Sequence, residues 1–311
     1  MDGKQLQTQY KEHLSDFNNW NQKEHAEDFI LYPKNIGYHL CIDETALSKG
    51  ELYTILTNRD KHGRKCTIVA IVKGTKAEDV INVLLKIDAD KRNQVKEITL
   101  DMAGSMQKIA KRCFPGAMQV VDRFHVSKLV YEAVQDLRIA YRWQVMKDEN
   151  RKIKEAKAKG ESYEPKVFGN GDTLRQLLAR SRYLLFKAPD KWLQSQKVRA
   201  KLLFEQFPDI KSVYYYALRL GKIFSDYTDK DVARAKLALW YNEIEEFGYD
   251  TFTTVANSIE NHYERILNYF VNRSTNAAAE AFNAKIKAFR ASFRGVVDKR
   301  FFLYRLAKVY A

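Results

Sequence analysis

Between residues 38 and 122 short apolar runs alternate with polar breaks. Residues 38–43 read as a strand that ends on an acid, and residues 51–57 read as a second strand. Asn58 to Lys65 is polar and contains Gly63, which is turn chemistry. Residues 66–72 are apolar on both faces, the pattern of a central third strand. Val80, Val83, Leu84 and Ile87 then fall at helical spacing within 75–87. Residues 95–101 give a fourth strand, again finishing on an acid. Gly104–Cys113 predicts a helix, broken by Phe114-Pro115-Gly116, and residues 117–122 predict a fifth strand ahead of Arg123-Phe124-His125.

A three-strand antiparallel meander followed by helix, strand, helix and strand predicts an α/β fold with a mixed sheet covered by helices. That order matches the ribonuclease H-like fold. Residues 1–36 predict a short helical extension anchored by Trp20, Phe29, Ile30 and Leu31. From Val126 onward the strand pattern ceases. Leu129, Val130, Ala133, Val134, Leu137 and Tyr141 mark a strong amphipathic helix over 126–146. Residues 147–160 are charge-dense and suit either a solvated helix or a loose connection. Helices recur near 172–187, 190–206, 209–224, 229–247 and 251–270, with Pro189, Pro208 and Gly248 as breaks. The organisation expected is therefore a helical extension over 1–36, a first part of the core over 37–125, a large all-α insertion over 126–270, and closing core helices over 271–311.

The last of these segments carries an unusual helix. Residues 272–287 lack Gly and Pro and are rich in Ala, with Ser274 or Thr275 as the expected cap. Asn276, Glu280, Asn283 and Lys287 share one face; Ala278, Phe282, Ile286, Phe289 and Phe293 share another. A solvated face usually mixes several acids with several bases, whereas this one frames a single carboxylate with amides and cations.

Composition narrows the partner. The chain has 311 residues, 45% hydrophobic and 13% aromatic, so it can bury a sizeable core. Its 53 Lys and Arg against 39 Asp and Glu give a net charge of +14, which favours a polyanion, nucleic acid before an anionic membrane surface. No apolar run approaches the ~20 residues that span a bilayer, and the N-terminus lacks a signal-peptide pattern, so a cytoplasmic protein without a membrane partner is expected. Cys41, Cys66 and Cys113 are far apart and predict neither a disulfide framework nor a zinc site. There is no phosphate loop and no nucleophile elbow.

The acids supply the candidate chemistry. Asp43 and Asp101 end strands that, if adjacent, present both carboxylates at one sheet edge, and Glu280 lies on a helix able to pack there. Three converging oxygen donors suit Mg²⁺ or Mn²⁺. Two such ions can clamp the attacking and leaving oxygens of an in-line phosphoryl transfer. Acids at strand ends are common, and Glu44, Asp60, Asp88 and Asp122 are equally available on composition. Asp122 and His125 are expected near the site in structural roles.

Ile42-Asp43-Glu44-Thr45, Thr99-Leu100-Asp101-Met102, the run from Phe114 through Asp122-Arg123-Phe124-His125-Val126, and the block from Ser274 through Asn276, Glu280 and Asn283 to Lys287 resemble motifs of DDE transposases of the ISL3 group of bacterial insertion sequences. The resemblance spans roughly 37–311. It implies Asp43, Asp101 and Glu280 as catalytic acids holding two Mg²⁺ or Mn²⁺ ions. It also implies DNA as partner, both the terminal inverted repeats and the target, and a homodimer on DNA in the bacterial nucleoid. Arg273, Asn276, Asn283, Lys285, Lys287, Arg290, Arg294, Lys299 and Arg300 are the candidate DNA contacts. The family usually begins with a Cys-rich zinc ribbon and a helix-turn-helix. The 36 residues ahead of the first strand hold no Cys, so a catalytic portion is expected, with a separate N-terminal DNA-reading polypeptide as a possible partner. Two other readings stay open: a catalytically silent DNA-binding or assembly protein, and a stand-alone ribonuclease H-like nuclease.

Overall fold

The computed structural model describes residues 3–48, 50–248, 250–293 and 295–311, with only the backbone at residues 3, 4, 48, 247, 250 and 251. The chain divides into two compact units. One comprises Met1–Asp122 and Glu264–Ala311, the other Arg123–Tyr263. Strands are numbered β1–β6 and helices of eight residues or more α1–α9.

The first unit is mixed α/β. Its strands are β1 (Phe29–Leu31), β2 (His39–Ser48), β3 (Glu51–Asn58), β4 (Ile68–Lys73), β5 (Glu97–Leu100) and β6 (Met118–Val121). They form one sheet in the order β1-β4-β3-β2-β5-β6. β2, β3 and β4 are the antiparallel meander, and β5 and β6 run parallel to β2. α1 (Ala77–Leu84) and α2 (Gly104–Cys113) connect β4, β5 and β6 in chain order. Two later helices, α8 (Ala277–Ser292) and α9 (Lys299–Tyr310), bring Phe282, Ile286, Phe302, Leu303 and Leu306 against Tyr53, Ile55, Ile68 and Ile71 of the sheet. Full burial of each such side chain stabilises by about 1.5–3 kcal/mol, so this apolar cluster fixes where α8 lies on the sheet.

Several sequence expectations change here. Residues 29–31 form a sixth strand rather than part of a helical extension, because Ile30 is fully buried opposite Ile71 on the edge of β4. β2 runs on past Asp43 into its hairpin with β3, so that acid sits mid-strand and not at a strand end. α8 begins at Ala277, and Asn276 occupies the cap position without capping through its side chain. The Ser274 hydroxyl is engaged by Glu97 instead. Ala279, not Ala278, is the buried alanine of the first turn.

The second unit is all helical. α3 (Arg123–Ala158) is a single helix of 36 residues that continues through the charge-dense stretch, where Arg151 pairs with Asp148 and Glu155 one turn away. α4 (Gln194–Gln206), α5 (Pro208–Asp226), α6 (Lys230–Phe247) and α7 (Asp250–Asn261) follow, with a shorter helix at Leu174–Arg180. Leu177, Leu203, Ile210, Tyr214, Trp240 and Phe252 are all buried in this unit. The Trp240 indole donates to the Tyr216 carbonyl at 2.9 Å. Asp172, whose side chain is fully buried, is held by Arg180 at 2.5 Å and Arg199 at 2.8 Å.

Candidate active site

Strand register aligns the acids. β2 and β5 pair in parallel with Cys41 opposite Thr99, so two residues further on Asp43 comes level with Asp101. β5 and β6 pair with Leu100 opposite Val121, so the next residues, Asp101 and Asp122, are level too. Three aspartates thus form a row across three adjacent parallel strands. Paired residues of an antiparallel sheet point to the same face. Asp43 pairs with Ile55, which packs in the cluster with Phe282, so the Asp43 side chain faces α8. Glu44 points to the opposite face.

α8 crosses this row. Asn283 donates its amide to Asp43 Oδ2 at 2.7 Å. One turn earlier, the Glu280 carboxylate is exposed, and its ligand oxygen lies within 4.8 Å of that of Asp122, which is 2% exposed. One turn earlier again, Asn276 accepts from the Thr99 hydroxyl at 3.0 Å. Thr99 also contacts Cys41 Sγ at 2.8 Å, so β2, β5 and the start of α8 are pinned at one point. The remaining oxygens are oriented by the backbone. Glu44 N–H donates to Asp43 Oδ1 at 2.8 Å, and Ala103 N–H donates to Asp101 Oδ1 at 2.8 Å.

The site is strongly electronegative. Burial, then the charges of Asp101 and Asp43, push the Glu44 carboxyl above the ordinary Glu range. Burial likewise pushes the Cys41 thiol up to about 11, with the Asp43 and Asp122 charges adding to it. The Asn283 amide and the Glu44 N–H donate to Asp43, and the Ala103 N–H donates to Asp101. Carboxylate oxygens are the donors that a hard divalent cation prefers.

Beneath the site lies a link that the motifs do not reveal. Glu97, one residue before Ile98 of β5, is 1% exposed. Asn272 donates to Glu97 Oε2 at 2.8 Å, and Arg59 Nη1 lies 2.6 Å from Oε1. The available signal was an acid inside an apolar strand, which requires partners.

The expected DNA contacts scatter. Asn276 is fully buried on Thr99 and Asn283 is committed to Asp43, so neither amide faces a phosphate as expected. Lys285 reaches the Gly63 carbonyl at 2.8 Å. Lys299 pairs with Glu51 at 2.5 Å and Arg300 with Glu27 at 3.0 Å. Arg273 stacks over the Tyr269 ring at 5.4 Å. Lys287 is exposed and Arg290 half-buried on the turns of α8 that follow Asn283. Arg294 lies outside the described residues. His125 stands in the first turn of α3, at the start of the second unit.

A mixed sheet with acids on its parallel strands and a carboxylate-bearing helix packed beside them, in a chain of net charge +14, defines a basic α/β protein with a cluster of acids. The family model of ISL3-type DDE transposases matches residues 40–306, and the chain belongs to that transposase family. No curated protein and no solved structure matches it. Among the described residues no helix is long and apolar enough to cross a membrane.

Proposed function

We propose that the chain is a transposase of ribonuclease H-like fold that cuts and joins DNA at the ends of an insertion sequence. Asp43, Asp101 and Glu280 would be the acids that hold two Mg²⁺ or Mn²⁺ ions, with Asp122 beside Glu280. The observation that carries this reading is the aspartate row with Glu280 brought over it by α8, within 4.8 Å of Asp122. The fit is chemical as well as spatial, since negative charge that already pushes Glu44 up is offset by divalent cations. When bound, such ions neutralise charge on a reacting phosphate and lower the pKa of water.

The residues of the chain do the rest. The Asn283 amide and the Glu44 N–H hold the two oxygens of Asp43, and the Ala103 N–H holds one oxygen of Asp101, which fixes the carboxylate planes for ligation. Glu280, exposed on its helix, closes the donor set from above the strands. Lys287 and Arg290 continue from the site along α8 and suit backbone phosphates, adding salt-dependent affinity without sequence information. Action as a homodimer on DNA is part of the same proposal.

The test is Glu280→Gln, assayed on a labelled terminal-repeat duplex in Mg²⁺. Strand cleavage and strand transfer should vanish while DNA retention on a gel stays near the parental level. Retained cleavage removes Glu280 from the donor set. Cleavage without joining in the parent protein moves the assignment to a nuclease.

A further inference from the structure

The helical unit holds a second candidate site, unrelated to the acids. On α3, Gln135, Arg138, Ile139, Arg142, Trp143 and Met146 recur at helical spacing and line one wall of a cavity of about 700 Å³. The segment from Ala179 to Phe186 forms the opposite wall, with Arg182, Tyr183 and Phe186. Gln135 bridges the two walls by donating to the Arg182 carbonyl at 3.1 Å.

Two properties of this groove call for a ligand. The first is charge. Arg138 is 4% exposed, and its bonds go to the Gln135 amide oxygen at 2.7 Å and the Leu178 carbonyl at 3.0 Å. Among the described residues no carboxylate pairs with Arg138, Arg142 or Arg182. Arg142 Nε is buried without a hydrogen-bond partner. Burial, then the charges of Arg142 and Arg182, pull the Arg138 guanidinium below its ordinary range. Three mutually repelling guanidiniums, one of them buried, are offset by an anion. The only acid of the lining, Glu132, sits beside Lys128 at 3.8 Å.

The second property is exposed aromatic surface. Trp143 is 59% exposed, Tyr183 68% and Phe186 45%, all on the same groove. Large aromatics left in water beside arginines offer stacking planes, and the cavity volume falls within the range that encloses a small-molecule-sized group. A ligand that is both anionic and planar, and that repeats, is a nucleic acid strand with its bases unpaired. Duplex DNA hides its base faces and offers this groove only phosphate.

We infer that this groove binds unpaired nucleotides of a DNA strand, with Arg138, Arg142 and Arg182 on the phosphates and Trp143, with Tyr183, on the base faces. The choice of DNA rests on the transposase reading; the groove's chemistry does not.

The experiment uses the full chain carrying Glu280→Gln, so that no strand is cut, and titrates it with a short single-stranded oligothymidylate while following tryptophan fluorescence. Stacking should quench the emission, and Trp143→Phe should remove most of that quench. Trp143→Ala should weaken binding by about 5- to 100-fold, the range for losing one base–aromatic stack. Arg142→Ala with Arg182→Ala should lower the slope of log affinity against log salt by about 0.7 for each arginine removed. Circular dichroism of each variant checks that the helices persist, and these three side chains are solvent-facing or half-buried. The inference is overturned if the matching duplex binds the groove as tightly and quenches equally. It is also overturned if polyglutamate reproduces the quench, or if folded Trp143→Ala binds with parental affinity. A quench that persists in a protein whose Glu280→Gln variant still cleaves leaves the groove standing and removes only the acid assignment.

Discussion

Replacing Arg59 by Met takes the cation from beside Glu97 and leaves a carboxylate in a place where it is 1% exposed. The Arg59 side chain is itself only 17% exposed, so water does not screen the pair. Breaking a buried pair by removing one partner costs about 3–5 kcal/mol. The lower end applies, because Asn272 still donates to Oε2. About 3 kcal/mol in a unit of this size lowers Tm by about 6–12 °C. The pH dependence follows from Glu97. Burial pushes its carboxyl up, but the bonds from Asn272 and Ser274 and the Arg59 charge outweigh burial and hold it below the ordinary Glu range. Its contribution is therefore complete above the ordinary carboxylate pKa of about 4.3 and is lost as pH falls through the lower, folded-state value. In Arg59→Met the carboxyl titrates higher, so the deficit relative to the parent narrows as pH falls from 7 towards 4. Adding Glu97→Gln to Arg59→Met should recover most of the loss, since no buried charge remains and the amide oxygen still accepts from Asn272. Urea unfolding followed by circular dichroism at pH 7 and pH 4 measures this. A deficit under about 1 kcal/mol at pH 7, or one unchanged at pH 4, would refute the reasoning. The consequence reaches the proposed site, because Glu97 ties the strand preceding Asp101 to Arg59 after β3 and, through Asn272, to the segment that leads into α8.

Phe282→Ala should cost about 3–5 kcal/mol, as Phe282 is 1% exposed and meets Tyr310 edge-on with centroids 5.1 Å apart. Thermal unfolding checks it, and an unchanged Tm would mean that α8 is held elsewhere. In the native protein one thiol should react with Ellman's reagent near pH 8. That thiol is Cys66, because Cys41 and Cys113 are fully buried and burial pushes both thiols up to about 11. Cys66→Ser should abolish the fast reaction; a second fast thiol would contradict the packing of β2 or α2.

Strand and helix periodicity made the order of elements in the first unit legible, because the apolar runs are short, well separated and punctuated by Gly and Pro. The short edge strand was not, since three residues of Phe-Ile-Leu carry no period and acquire their conformation by pairing with β4. The spacing of the acids pointed towards one edge, but the level row across three strands depends on register, which tertiary pairing sets. The face of α8 was read correctly as polar, yet its two asparagines bind the sheet instead of a ligand. Amide side chains cannot be assigned from periodicity when the partner lies far away in the chain. The aromatic and arginine groove was also invisible, because on sequence alone its residues count as ordinary members of an amphipathic helix.

The first unit is written in two pieces, with the whole helical unit between Asp122 and Glu264. A ribosome making this polypeptide releases the aspartate row before the helical unit and Glu280 after it, followed by α9 and the hydrophobic cover for Ile55 and Ile71. Until those helices emerge, the sheet has an oily face open to water and the row of aspartates lacks Glu280 beside it. A fragment that stops ahead of Glu280 is thus sticky and, on the proposed function, lacks an acid that cutting a chromosome requires.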